Sequence, residues 1–305
     1  MDPLLVITNA AAGTSDEETL EQALLVLREE ASVEVAATSN PGELDGVLHR
    51  AGSRTIVVAG GDGSLHAVVN ALHRRNELKG RVLGLLPLGT GNDFARGAGI
   101  PLEIEDAAKA LVDGEVRPVD LLLDELGGVV TNNVHVGAGA QASRRGARWK
   151  KRLGKVGVGK VNLGRVGYPI GAALAAVDPP HLRLHVEIDG ETVADLDRPV
   201  LMVAVGIGSS VGGGAELTPL AEVGDGKADV MVSFATSPMA KLGYVAALTT
   251  GRHPEREDVL YRRASNVTVA GEEFWCAADG ELSGPERHRS WRVEPAAYTM
   301  LLPRG

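Results

Sequence analysis

Cysteine and long apolar runs are scarce in this sequence, and each shortage excludes a class of protein. A single cysteine, Cys276, among 305 residues excludes an internal disulfide and a cysteine-based metal cluster, and it favours a reducing, cytoplasmic compartment. No stretch approaches about 18 consecutive apolar residues, and the first residues lack the segments of a signal peptide. We therefore expect neither a membrane-spanning helix nor secretion.

Positive charge is also in deficit, because 31 Lys and Arg residues face 40 Asp and Glu residues, for a formal net charge of −9. This balance excludes the positive surface of a general nucleic-acid-binding protein. Glycine is abundant instead, with 39 residues, about twice the usual share of roughly 7%. With 44% hydrophobic residues the composition is that of a globular protein, and the length predicts about two domains.

The first hundred residues alternate short apolar strands with helical patterns. Four such strand and helix units favour a parallel sheet covered by helices on both faces. The predicted strands are 4–8, 33–38, 55–59 and 82–86, and the predicted helices are 16–30, 41–50 and 64–75.

From about residue 117 onward, candidate strands follow one another with few helices, which indicates a β-rich second domain. They are 118–123, 129–136, 181–188, 200–207, 228–234, 259–270 and 274–277. We predict an α/β domain at 1–123, completed by a return of the chain at about 295–305, and a β-rich domain at 124–294.

A glycine loop, Gly-Gly-Asp-Gly-Ser at 60–64, directly follows one buried strand and precedes a helix. Glycines let backbone N–H groups approach a phosphate, and the helix N-terminus adds partial positive charge. Because Asp62 would repel a bare phosphate, a nucleotide with a bridging magnesium ion is the economical interpretation. The alternative is a tight turn in which Asp62 caps a helix.

A second glycine loop, at 88–92, follows the next strand and also leads into a helix. Thr90 offers a hydroxyl, Asn92 an amide and Asp93 a carboxylate. Ligands of open α/β sheets lie beyond the carboxyl ends of the strands, so we expect both loops at one edge. The alternative is that Asn92 or Asp93 only caps the next helix.

These residues resemble the diacylglycerol kinase catalytic family, particularly its soluble bacterial lipid kinases. Residues 60–64 resemble the family's G-G-D-G-T loop, and Pro-Leu-Gly-Thr-Gly-Asn-Asp-Phe-Ala at 87–95 resembles its P-L-G-T-G-N-D-F-A segment almost letter for letter. Asp-Gly-Lys-Ala-Asp at 225–229 and Asp-Gly-Glu at 279–281 are similar to later family motifs. The resemblance implies a nucleotide-binding domain like those of NAD kinases and phosphofructokinases, followed by a β-sandwich domain for the lipid substrate.

The resemblance also implies the site residues. Asp62 and Asp93 would organise catalytic Mg²⁺, and Glu281 would act as the base, with Asp279 beside it. The alternative for the Asp279-Gly280 pair is an ordinary hairpin turn. The implied ATP contacts are Asn9, Gly13, Thr38, Gly60, Gly61, Asp62, Gly63, Ser64, Gly89, Thr90, Gly91 and Asn92.

A structural cation site is implied near Asp225, whose carboxylate would be joined by backbone carbonyls of Glu222 and Lys227. Oxygen ligands suit Mg²⁺ or Ca²⁺. A surface turn is an equally good interpretation of this segment.

Two departures from the family pattern bear on activity. Asn9-Ala10-Ala11-Ala12-Gly13 stands where the family usually has N-P-x-S-G, and Ala67 stands where it often has a carboxylate. Adenosine contacts and some metal or phosphate geometry are therefore expected to differ.

A basic segment distinguishes residues 144–165, which hold nine Lys and Arg residues and no acidic residue, with Trp149 among them. Such a segment can lie on anionic lipid headgroups. A nucleic-acid patch and a solvated charged loop are the alternatives. We predict peripheral contact with an anionic membrane surface through Arg144 to Arg165 and no nucleic-acid partner. The sequence is also compatible with a homodimer.

The sequence as a whole predicts an ATP- and Mg²⁺-dependent lipid kinase that phosphorylates a hydroxyl of diacylglycerol or a related lipid. An NAD kinase-like enzyme shares the first glycine loop and is one alternative. A non-catalytic nucleotide- or lipid-binding protein is the other, motivated by the alanines at 10–12 and 67.

Overall fold

A computed structural model describes residues 2–10, 14–138, 140 and 181–304 of the chain. The chain forms two compact units, neither of which is continuous in sequence. The first unit comprises Met1–Leu121, Val223–Gly226 and Glu294–Gly305, and the second comprises Leu122–Glu222 and Lys227–Val293.

The first unit is built on a parallel sheet, as the strand and helix alternation predicts. Its strands are ordered β2, β1, β3, β4, and Thr299 and Met300 of β16 pair in parallel with the free side of β4. The elements up to this point of the chain are β1 (Leu4–Asn9), α1 (Thr14–Glu30), β2 (Val33–Thr38), α2 (Pro41–His49), β3 (Thr55–Gly60), α3 (Asp62–Arg74), β4 (Val82–Pro87), α4 (Asp93–Gly97) and α5 (Ile104–Asp113).

Helical spacing explains which faces the first unit buries. Helix α3 buries Leu65, Val68, Val69 and Leu72, the face that their i, i+3, i+4 and i+7 spacing predicts. Helix α5, which the sequence analysis did not predict, packs onto β4, where a Cβ on Gly84 would lie 2.7 Å from Cδ2 of Leu111.

The second unit is a largely antiparallel β structure. Strand pairs link β14, β13, β10, β7 and β15 in that order, and β9 pairs with β8, which pairs with β15. From β5 onward the elements are β5 (Glu115–Asp124), β6 (Val129–Val130), β7 (Asn133–Gly137), β8 (Leu184–Ile188), β9 (Glu191–Ala194), β10 (Met202–Gly206), β11 (Ser210–Val211), β12 (Ala215–Glu216), β13 (Ala228–Ser233), α6 (Pro238–Leu248), β14 (Val259–Ala264), β15 (Asn266–Ala278) and β16 (Glu281–Leu302).

Strand β15 changes neighbours along its length. Residues 267–271 pair with β8, and residues 276–278 pair with β7, with register shifts in between. Bulges of this kind let a strand turn a corner from one sheet layer to another.

Two apolar clusters fill the described part of the second unit, and the side chains of β10 alternate between them. Val134, Val136, Val203 and Val205 belong to the larger cluster. Met202 and Ala204 point the other way, into a smaller cluster that contains Tyr244 of α6. Among the described residues, no helix is long and apolar enough to cross a membrane.

Candidate functional site

The two glycine loops of the first unit touch each other. A Cβ on Gly61 would lie 2.9 Å from the Cα of Gly89, and a Cβ on Gly89 would lie 2.5 Å from the Cα of Gly61. Only glycine permits backbones to approach this closely. The loop after β3 and the loop after β4 therefore form one continuous surface at the carboxyl ends of neighbouring parallel strands.

Asp62 joins the two loops through its carboxylate. The backbone N–H of Asp93 donates to Oδ2 at 3.0 Å, and the N–H of Phe94 donates to Oδ1 at 2.9 Å. These are the first two N–H groups of α4, so Asp62 caps the helix of the neighbouring loop, whereas its own helix α3 has Gly61 at the N-cap position without a side-chain cap. Each carboxylate oxygen keeps a further lone pair that a cation could use.

Asn92 shapes the second loop from within. Its backbone is left-handed, with φ 52°, and its buried side chain folds back on the loop. Oδ1 accepts the N–H of Gly89 at 3.0 Å, while Nδ2 donates to the carbonyls of Gly89 and Pro87 at 2.8 and 3.2 Å. The side chain thus does not cap α4, and a direct contact with a nucleotide stays a prediction.

The remaining predicted nucleotide contacts lie at or near the same strand ends. Asn9 and Thr38 are paired neighbours at the ends of β1 and β2, and Thr38 Oγ1 donates to the carbonyl of Thr8 at 3.4 Å. Thr90 and Gly63 are exposed, and Asp93 is buried at the start of α4. Gly60, Ser64 and Gly91 belong to the two contacting loops, while Gly13 and the Arg144 to Arg165 segment lie outside the described residues.

Asp279 occupies the turn of a two-residue hairpin in the second unit. Asp279 and Gly280 have φ values of 46° and 84°, and Ala278 pairs with Glu281 across the turn. The hairpin interpretation is therefore what the structure shows.

The carboxylate of Asp279 holds a second segment in place. Oδ2 accepts from the N–H and the hydroxyl of Thr131 at 2.6 and 2.8 Å, and Oδ1 accepts from the N–H groups of Asn132 and Asn133 at 3.0 and 3.1 Å. Four donors use the roughly four lone pairs of a carboxylate. Asp279 thus positions residues 131–133, and the catalytic role implied for it by the family resemblance stays a prediction. Glu281 is exposed at the start of β16.

The segment of the predicted cation site, residues 222–227, contacts the buried carboxylate of Asp120, which was not predicted from the sequence. Asp120 Oδ2 accepts the N–H of Gly226 at 2.6 Å, and Oδ1 accepts the N–H of Ala296 at 2.8 Å. Burial raises the pKa of Asp120 above its ordinary value, and the nearby charge of Asp225 raises it further. No short motif marks Asp120, because its two donors come from distant parts of the chain.

Glu222 and Lys227, the other predicted residues of the cation site, differ in exposure and in their contacts. Glu222 is exposed, and Lys227 Nζ donates to the hydroxyl of Ser265 at 2.8 Å. Within the described ranges, no three His, Cys, Asp or Glu side chains lie close enough together to hold a metal ion. The backbone-carbonyl site at 222–227 therefore stays a prediction.

Comparison with known proteins identifies the family. Residues 3–123 match the model of the diacylglycerol kinase catalytic domain, and residues 129–302 match that of the YegS C-terminal NAD kinase beta sandwich-like domain. The chain belongs to the diacylglycerol kinase family. This confirms the predicted fold class, an NAD kinase-like α/β domain with a β-sandwich domain, and the predicted kinase class.

Individual relatives of this diacylglycerol kinase family member agree with the assignment. A "Probable lipid kinase YegS-like" of Pseudomonas aeruginosa is 34% identical over 99% of this chain and 94% of its own length. A "Diacylglycerol kinase" of Staphylococcus haemolyticus is 28% identical, covering 89% of this chain and 80% of the relative. The crystal structure of a diacylglycerol kinase from Bacillus anthracis matches with a TM-score of 0.74 at 23% identity, covering 99% of this chain and 97% of that one, which shows a shared fold.

Proposed function

We propose that this member of the family transfers the terminal phosphoryl group of ATP to a hydroxyl of diacylglycerol or a related lipid, with Mg²⁺ as cofactor. The observation that carries the proposal is the contact between the two glycine loops, each of which leads from a parallel strand into a helix. Backbone N–H groups and helix N-termini at one edge suit the polyphosphate of a nucleotide.

The residues of the two loops fit a magnesium ion. Mg²⁺ prefers oxygen ligands, and Asp62 offers carboxylate oxygens whose positions are fixed by the N–H groups of Asp93 and Phe94. Asp93 would supply a second carboxylate at the start of α4. When bound, the ion supplies charge neutralisation for the phosphates.

The residues of the chain would contribute to phosphoryl transfer by positioning the nucleotide phosphates and the lipid hydroxyl. Asn92 holds the shape of the second loop, and Asp62 locks this loop to the first, so that N–H groups stay aimed at the phosphates without reorganisation. Glu281 is the proposed base that accepts the proton of the lipid hydroxyl, a role carried over from the family motif and compatible with its exposed side chain.

The proposed lipid substrate requires access to a membrane surface. The basic segment from Arg144 to Arg165 supports peripheral binding to anionic headgroups, in a chain whose net charge is −9. Co-sedimentation with liposomes tests this part: binding should increase with anionic lipid content and decrease with salt, and binding independent of both would contradict it.

The catalytic proposal is tested by incubating the purified protein with labelled ATP, Mg²⁺ and a panel of lipid alcohols, with NAD as a competing acceptor. We expect label in a lipid product and in no NAD product. An Asp62→Ala variant is the matched control, since it removes the proposed ligand and should abolish the label. ADP release that does not depend on any lipid, or transfer to NAD, would contradict the proposal and favour one of the two alternatives.

A further inference from the structure

Residues 132–135 contain a concentration of buried polar atoms without hydrogen bonds. His135 is buried on β7, and neither of its ring nitrogens has a hydrogen-bond partner in the described part of the chain. The Oδ1 atoms of Asn132 and Asn133 are likewise buried and lack a partner there. Because unpaired buried polar atoms are destabilising and uncommon in native proteins, four of them within four residues need a physical reason.

The hydrogen bonds of the amide nitrogens confirm that it is the oxygens of the two asparagines that are left over. Asn133 Nδ2 donates to Thr218 Oγ1 at 3.2 Å, and this hydroxyl donates to the carbonyl of Gly208 at 2.7 Å, so it must accept from the amide. Asn132 Nδ2 donates to the carbonyl of Ser210 at 2.8 Å. Rotating either amide by 180° would place an oxygen against an acceptor.

Small residues flank the unpaired groups on the sheet. Asn133 and His135 project from the face of β7 opposite Val134 and Val136. The cross-strand neighbours of His135 are Ala204 and Ala277, and that of Asn133 is Gly206. All three of these neighbours are small residues.

The same face continues into the smaller buried apolar cluster. Met202 lies two residues before Ala204 on β10, and Met231 pairs directly with Ala204 from β13. The unpaired groups on this face therefore border buried methionine side chains, of which Met231 contacts the hydroxyl of Tyr244 at 3.7 Å.

The segment that carries the unpaired atoms is held in place independently of any ligand. Asp279 binds the N–H groups of Thr131, Asn132 and Asn133, which fixes the entry into β7. Burial lowers the pKa of His135 to about 4, so the imidazole is neutral near pH 7. A neutral imidazole and two amide oxygens offer one donor and three acceptors, a set that matches hydroxyl groups.

We propose that His135, with the side-chain oxygens of Asn132 and Asn133, binds the hydroxyl-bearing polar end of an acylglycerol. The inference rests on the proposed lipid kinase function and names the residues that recognise the lipid. His135 is assigned as a substrate-binding residue, and proton transfer is not assigned to it.

The test compares His135→Leu, which removes both polar atoms at similar volume, with His135→Gln, which restores a donor and an acceptor. The probe is dioctanoylglycerol in mixed micelles. For His135→Leu we expect KM for dioctanoylglycerol to rise at least about tenfold, with KM for ATP changed less than about twofold. His135→Gln should recover most of the lipid KM. Addition of dioctanoylglycerol should raise the Tm of the wild type and of His135→Gln but not that of His135→Leu.

The two readouts separate this inference from the proposed function. Wild-type lipid KM and an unchanged lipid-induced Tm shift in folded His135→Leu would overturn the assignment of His135 and leave the kinase proposal standing. A His135-dependent Tm shift in a wild-type protein that phosphorylates no acylglycerol would do the reverse. A wild type that neither binds nor phosphorylates dioctanoylglycerol would overturn both.

Discussion

The glycine loops of the first unit and the segment around Asp279 in the second unit are both held by an aspartate, but they differ in which polar atoms remain available for binding. In each region an aspartate beside a glycine accepts backbone N–H groups from a segment far away in sequence. Asp62 accepts two and keeps lone pairs, whereas Asp279 accepts four and keeps none. In the second region the unused polar atoms lie instead on the neighbours that Asp279 holds, Asn132, Asn133 and His135. Capacity for binding is therefore at the aspartate itself in the first region and next to it in the second.

The largest effect is expected from removing the Asp279 carboxylate. Asp279→Ala leaves three backbone N–H groups and a hydroxyl without their acceptor, which should lower the free energy of unfolding by about 3 to 5 kcal/mol, measured by urea titration. Asp189→Ala is the matched control, because Asp189 also occupies an Asp-Gly hairpin but accepts only the N–H groups of Ser265 and Asn266 from an exposed position. Equal losses in the free energy of unfolding in both variants would show that the additional hydrogen bonds of Asp279 do not stabilise the protein.

The next effect is a pH dependence carried by His135. Its pKa is about 4 when folded and near 6.5 when unfolded, so the unfolded chain binds the proton first as pH falls. The contribution of neutral His135 to the free energy of unfolding is fully present above about pH 6.5. About 3 kcal/mol of it should be lost as pH falls to 4. His253, whose pKa burial also lowers, adds a loss of the same sign. The difference between wild type and His135→Leu, followed by thermal unfolding at several pH values, isolates His135; parallel curves would contradict the prediction.

Replacing the proposed base tests whether the Asp279 hairpin contributes chemistry as well as structure. Glu281→Gln should lower turnover at least about a hundredfold, equivalent to about 2.7 kcal/mol, while ATP affinity stays nearly unchanged. Glu273→Gln, at an exposed glutamate paired with Arg287 on the same two strands, serves as the control and should keep full activity. Normal turnover in Glu281→Gln would restrict the hairpin to a structural role.

The smallest effect concerns the contact between the glycine loops. In Gly89→Ala the new Cβ would lie 2.5 Å from the Cα of Gly61 and 2.7 Å from Asn92 Oδ1, so one loop must move, at a cost of about 2 kcal/mol and with weaker ATP binding. In Gly63→Ala the Cβ meets no atom within 4 Å, and the helical position should gain up to about 1 kcal/mol. Calorimetry of unfolding and of ATP binding distinguishes the two; similar behaviour would mean that close approach is not required.

The first unit was predictable because its signals are local. Strand β2 matches its predicted range of 33–38. Strand β3 extends the predicted 55–59 by one residue, and its continuous apolar run identifies it as a doubly covered strand. The two glycine loops were found for the same reason, as each combines a strand end, glycines and a helix start within a few residues.

The second unit was less predictable because long-range hydrogen bonds interrupt its strands. The predicted strand 129–136 is broken at Thr131 and Asn132, whose N–H groups are taken by Asp279. The predicted strand 259–270 is broken at Ser265, whose N–H is taken by Asp189. Acceptors this far away in sequence leave no trace in a local pattern. Strand β16 was not predicted as a strand, because its first half combines the Gly284-Pro285 pair with several charged residues.

The pairing of Thr299 and Met300 with β4 has a consequence for how the protein is made. Strands β1 to β4 leave the ribosome early, but one edge of β4 stays unpaired until residues 299–300 emerge from the exit tunnel. During that interval the nascent sheet offers a template for wrong partners, in a cell full of other unfinished chains. A gene fragment that stops after α5 would make this exposure permanent.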